Sequence, residues 1–148
     1  MDIKIHQQKI ELESKTQIEF FDLTSRVQDI VDASGIREGN VLVYTPHSTM
    51  GIVINHNEPM LIQDFTRVLY KIVPMDDRYS HDLFEITNQS KSDGRSNGHS
   101  HCKSFLVGIN QTIPLEKGKM MLTEKLSVFA VEFDGARKRD ITVQVMGI

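Results

Sequence analysis

At 148 residues the chain is long enough for one domain with a self-sufficient core and too short for an eightfold βα barrel, which takes about 250 residues. Apolar residues make up 39% and charged residues 25%, with a mean hydropathy of -0.28, values that exclude a wholly disordered chain. A net charge of -3 offers no global basic field to nucleic acid or an anionic membrane, and no apolar run reaches the roughly 18–20 residues of a bilayer span.

Ile3, Ile5, Ile10 and Leu12 alternate roughly with polar residues, which predicts an amino-terminal strand or hairpin arm. No signal-peptide core precedes it, and the single Cys102 rules out an intrachain disulfide framework, so a cytoplasmic protein is expected. Residues 16–21 read as a second strand. Leu23, Val27, Ile30 and Val31 then share one helical face, with Ser25 and Gln28 spaced as a capping box and Gly35 placed to stop the helix. Short apolar runs at 41–45 and 50–54 are of strand type. Asn57 as cap and Pro59 in the first turn open a second helix, along which Leu61, Phe65, Val68, Leu69 and Ile72 recur at helical spacing until Pro74.

From Met75 to about His101 the chain turns polar and rich in Gly and Ser, and reads as a long functional or disordered loop. Strands are expected again at 104–107, 111–115, 119–122, 127–133 and 141–146, with Glu116-Lys117-Gly118 turning a hairpin. Strands that follow one another without helices pair antiparallel, which predicts an α+β domain over residues 1–148 with two α-helices.

Six histidines are present, and their placement is informative. His47 directly follows a strand, His81 opens the long loop, and His99 and His101 close it. On a strand the last two would face the same way. Imidazoles of His47, His81 and His101 suit either Zn²⁺ with an open fourth position or acid–base catalysis near neutral pH. The segment from Asn55 to Pro59 leads into a helix start, where free N–H groups and the dipole attract an anion unless Asn57 and Glu58 merely cap the helix. Asp64, further along that helix, can orient a histidine or be solvated. If Phe133 faces the core, Glu132 and Asp134 point away from it. Arg137 and Arg139 then offer planar forks for phosphate or carboxylate, joined by Lys103 beside His101. The alternative for Arg137 is a structural pairing with Glu132 or Asp134.

Taken in order, VLVYTPHSTMGIVINHNEP, the Asp64 helix ending in VP, YSHDL, NGHSHCKSFLVG, TIPLEKGKMML and VEFDGARKR resemble the YjbQ family, also called the secondary thiamine-phosphate synthase family. The resemblance runs from the arm before Val41 to Gly147. It implies an α+β fold of two packed, mainly antiparallel, sandwich-like sheets and a homotrimer. It also implies a site at the positions here occupied by His47, Asn55, Glu58, Asp64, His81, His101, Glu132 and Arg137. One stretch departs: where similar members carry Gly-x-Trp-Gln, this chain has Thr123-Glu124-Lys125-Leu126 and no Trp at all.

The activity the resemblance implies joins a hydroxymethylpyrimidine diphosphate to a thiazole phosphate and releases pyrophosphate. Such a reaction needs positive charge for two anionic groups and an acid or cation for the departing diphosphate. Arg137, Arg139 and Lys103 are the expected anion binders. His47, Glu58, Asp64, His81, His101 and Glu132 are the expected catalytic groups, and zinc or another divalent metal would lie on His47, His81 and His101. Two alternatives are a zinc-dependent hydrolase or lyase acting on a small anionic metabolite, and a non-catalytic trimeric metabolite- or metal-binding protein.

Overall fold

Period-two patterning makes sheet the main component. The computed structural model describes residues 1–87 and 95–148, apart from the side chains of Glu85 and Ile86. Along them run β1 (Lys4–Glu13), β2 (Glu19–Asp22), α1 (Thr24–Ser34), β3 (Gly39–Tyr44), β4 (Met50–Asn55), α2 (Pro59–Ile72), α3 (Ser80–Thr87), α4 (Gly98–Val107), β5 (Asn110–Glu116), β6 (Lys119–Met120), β7 (Ser127–Glu132) and β8 (Lys138–Gly147). One sheet has the order β1-β8-β3-β5-β6 and the other β2-β7-β4. Every pairing is antiparallel, as expected, although among the described residues only β5 and β6 pair as strands consecutive in the chain.

One core joins the two sheets. Val41, Val43, Ile141 and Val143 of the larger sheet pack with Met50, Ile52, Val128 and Ala130 of the smaller, and with Val27, Ile30 and Val31 of α1. The smaller sheet's other face carries Phe129, Val131 and Phe133, against which Ile62 and Leu69 of α2 and Val107 of α4 pack. Strand β7 is therefore covered on both faces, and Val128 to Glu132 are all buried.

Local chemistry explains the ends of these elements. Gly35 closes α1 in the left-handed region (φ 69°), where a Cβ would be costly. At its start no capping box forms; instead Asp22 Oδ1 accepts from the Thr24 N–H at 2.9 Å and the Thr24 hydroxyl at 2.6 Å. Lys117 and Gly118 both have positive φ, as a two-residue hairpin between Glu116 and Lys119 demands.

The polar stretch expected to be a loop contains α3 and the start of α4, and the strand expected at 104–107 is the end of α4. Residues 88–94 of that stretch lie outside the described residues. The buried positions of α4 are Gly98, His99, Ser100, Lys103 and Ser104, which is helical spacing. Because that buried face is largely polar, apolar periodicity does not reveal it. On a helix, residues two apart point about 200° from each other. His99 and His101 therefore do not share a face.

Candidate functional site

His47 sits just beyond β3. The pairing Tyr44↔Thr142 between β3 and β8, continued past the strand end, brings it beside Asp140. His47 Nε2 lies 2.8 Å from Asp140 Oδ1, while Lys9 Nζ approaches the other carboxylate oxygen at 3.3 Å. The Asp140 N–H also faces that nitrogen, at 3.2 Å. A carboxylate only accepts, so the shorter contact puts the proton on Nε2 and makes His47 the donor. Hydrogen bonding from His47, then from Lys9, holds the Asp140 carboxyl below its usual range.

His81, in the first turn of α3, meets Asn97 Oδ1 at 3.0 Å through Nε2. Asn97 is buried, and its Nδ2 donates to Asp134 Oδ2 at 2.9 Å. That carboxylate can only accept, so it fixes the amide orientation and leaves Oδ1 to His81, which must donate from Nε2. The His81 and His101 rings meet edge to face, 4.7 Å between centroids. His101 and His47 both line a cleft of about 390 Å³, with Ser48, Ser104, Phe105 and Ile109 around them. The structure thus brings His47 and His101 to one cleft and reaches His81 through its contact with His101.

The expected anion binders are engaged elsewhere. Arg139 is buried: its Nε donates to Glu132 Oε2 at 2.7 Å, and its Nη2 donates to Glu132 Oε1 at 2.6 Å and Thr49 Oγ1 at 2.7 Å. Arg137 Nη2 lies 2.7 Å from Asp134 Oδ2, and its Nε donates to the Asp134 carbonyl at 3.1 Å, the structural pairing weighed above. Lys103 is fully buried in α4, its Nζ 2.7 Å from His99 Nδ1 and 3.9 Å from the Tyr70 ring centroid. Burial pushes its ammonium down to about 8. Burial and the neighbouring Lys103 charge lower His99 as well.

Glu132 and Asp134 were expected to point away from the core, yet both are buried. The two-face rule fails there because both faces of β7 are covered: Phe133 faces α2 and α4, while Glu132, in step with Val128 and Ala130, faces the larger sheet and meets Arg139 of β8. Glu58 is the N-cap of α2, its two oxygens taking the N–H groups of Met60 and Leu61 at 2.9 and 2.7 Å. The helix start therefore already holds its anion. Asn57, expected as that cap, donates to Asp22 instead. Asn55 ends β4, its Oδ1 accepting from the His56 N–H. Asp64 is exposed and 3.5 Å from Arg67; Asp140 and Asn97 orient histidines in the way expected of it. Neither Asn55, Glu58 nor Asp64 lines the histidine cleft. Asp140, Asn97 and Asp134 are what sequence reasoning missed, and only the β3–β8 register offered a signal, for Asp140.

A metal would need three ligands around one point. His47 has the carboxylate partner that metal-bound histidines usually have. Among the described residues, no group of three His, Cys, Asp or Glu is placed to hold an ion.

A family model described as UPF0047 protein YjbQ-like matches residues 8–148. A UPF0047 protein of Methanothermobacter thermautotrophicus is 35% identical over 145 residues, 98% of this chain and 94% of the relative. YugU of Bacillus subtilis, also a UPF0047 protein, is 30% identical, covering 93% and 97% respectively. The crystal structure of a YbjQ-like protein of unknown function from Sulfolobus solfataricus superposes with a TM-score of 0.90 at 30% identity, over 99% of this chain and 100% of that one. The chain belongs to the YjbQ-like UPF0047 family.

Proposed function

We propose that this YjbQ-like chain is an enzyme of small anionic metabolites that works by histidine acid–base chemistry in the His47–His101 cleft. The specific reaction we propose is the one the family resemblance implies, transfer of the thiamine-phosphate synthase type, carried out by a cytoplasmic homotrimer. In that reaction the methylene–oxygen bond of hydroxymethylpyrimidine diphosphate breaks. Pyrophosphate leaves with the bonding pair, and the thiazole phosphate bonds to the methylene carbon.

The observation that carries the reading is the paired orientation of His47 by Asp140 and of His81 by Asn97 and Asp134. Carboxylates that fix an imidazole's tautomer are what acid–base catalysis requires of its surroundings. A protonated imidazole beside His101 supplies a proton, and positive charge, to a departing phosphate oxygen. The described residues that line the cleft include no Arg or Lys, so in this reading the charge falls to the histidines.

The test is turnover of the two phosphorylated substrates by the purified protein, read as pyrophosphate release and product mass, with His47→Ala and His101→Ala as controls. Product formed by the parent and lost in both variants supports the proposal. Binding without turnover makes the protein a non-catalytic metabolite binder. A zinc-dependent hydrolase or lyase is the second reading, favoured by the carboxylate held against His47. Stoichiometric zinc in the protein as purified, lost in His47→Ala, would select it.

A further inference from the structure

A cavity of about 430 Å³ lies between part of α2 and the outer face of the smaller sheet, within the roughly 300–1,000 Å³ of small-molecule sites. Helix α2 carries a pronounced apolar stripe, yet none of its residues is buried. Leu61, Phe65 and Leu69 line one side of the cavity, and Phe20, Val131 and Phe133 the other.

The helix is pinned near both ends, which keeps the cavity open. Glu58 caps its start, and Asn57 Nδ2 ties that end to Asp22 of β2 at 2.8 Å. In the last turns the Tyr70 ring lies over the Lys103 ammonium of α4, and Val73 beyond them is buried. Ile62 and Leu69 of the helix reach the sheet, and the cavity lies beside that contact. A flat guest would enter a slot that is already formed, with little ordering cost.

The lining selects the guest. Of the twelve described residues that line it, Asn55 and Asp64 are the only polar ones, and none is Lys, Arg or His. Among the described residues Asp64 has an ion-pair partner in Arg67 at 3.5 Å, both side chains exposed, a surface pair that contributes little. A carboxylate on an apolar slot that no cation lines attracts a protonated amine and repels an anion.

We propose that this cavity binds a small aromatic molecule carrying a protonated amine, with its ring between α2 and the sheet and its ammonium at Asp64. The site goes beyond the histidine cleft and selects the opposite charge. Val107 lines the cavity while Ser104 and Gly108 line the cleft, so the end of α4 separates the two.

Tryptamine and indole-3-propionate present one ring with opposite charges. Titrated into the full chain by calorimetry, tryptamine binds about tenfold more tightly or better, because specificity is a difference of affinities. Asp64→Asn brings the two together. Leu61→Trp or, should that variant fold poorly, Val53→Phe fills the cavity and removes tryptamine binding without lowering the thermal midpoint. No saturable tryptamine binding, equal binding of the two probes, or an Asp64→Asn variant that still prefers tryptamine would overturn the proposal. It also falls if copies associate in sedimentation, Leu61→Trp separates them, and tryptamine leaves the parent unchanged. The cavity is then an interface between copies.

Discussion

Glu132 and Arg139 form a buried ion pair, with side-chain exposures of 0% and 6%. The Glu132 carboxylate receives two N–H groups from Arg139, the Ser14 hydroxyl at 3.0 Å and the Asp134 N–H at 2.9 Å. Glu132→Gln keeps the shape, removes the charge, and turns an amide NH₂ toward donors it cannot satisfy. Arg139 is left as a buried, uncompensated cation, and breaking such a pair from one side costs about 3–5 kcal/mol. Set against a total stability of about 5–15 kcal/mol, that is a large share. At about 2–4 °C per kcal/mol for a chain of this size it lowers Tm by about 10 °C. The assay is urea unfolding followed by circular dichroism at pH 7 and fixed protein concentration, for Glu132→Gln, Arg139→Met and the double variant. Each single change is expected to cost about 3–5 kcal/mol. The double variant should cost less than their sum by about 1–3 kcal/mol, because the two groups are in contact. A Glu132→Gln cost below about 1 kcal/mol, or strict additivity, would refute the pairing as a structural element. Glu132 would then be left to the catalytic role the family resemblance implies.

Three further outcomes are expected. Burial lowers Lys103 from 10.5 to about 8, so between those values the unfolded chain holds more protons than the folded one and stability rises with pH. The burial penalty is fully present below pH 8. Its relief, at most about 3 kcal/mol, appears as a urea midpoint that rises from pH 7.5 to 10 relative to Lys103→Met; a constant difference would contradict it. Asn97→Ala cuts the link from Asp134 to His81, and ¹⁵N NMR of the His81 ring should then report mixed tautomers where the parent shows the Nε2–H form; an unchanged spectrum would remove Asn97 from the orienting role. At Gly98→Ala the new Cβ would lie 2.5 Å from Tyr79 Cβ and 3.1 Å from Asp82 Oδ1. Loss of about 1–3 kcal/mol is expected in thermal or urea unfolding, and a neutral result would show that Tyr79 moves aside freely.

How much was legible in the sequence varied with the kind of signal. Helix α1 announced itself because Val27, Ile30 and Val31 meet an apolar core at helical spacing. In α4 the buried face is His99, Ser100, Lys103 and Ser104, so the usual signal is missing although burial follows the helical period. Helix α2 has the stripe and the proline start that the sequence promised. Its cap is Glu58 rather than Asn57, a choice made by the position of Asp22 35 residues earlier.

The sequence by itself determined the α+β class, the antiparallel pairing, the hairpin at Lys117–Gly118 and the family to which the chain belongs. Those follow from local rules: alternation, turn residues, and motifs whose order survives without coordinates. Tertiary structure alone decided which charges stay available. From the chain, Glu132 and Asp134 were expected to point away from the core, and Arg137 and Arg139 to offer forks to an anion. Packing the two sheets face to face encloses Glu132 of β7 and Arg139 of β8 between them, and the two then satisfy each other. It likewise took Asp140 and Asn97, 93 and 16 residues from the histidines they hold, to orient His47 and His81. A charge inside a protein must be compensated by whatever the fold places beside it, and sequence spacing carries no record of that neighbour.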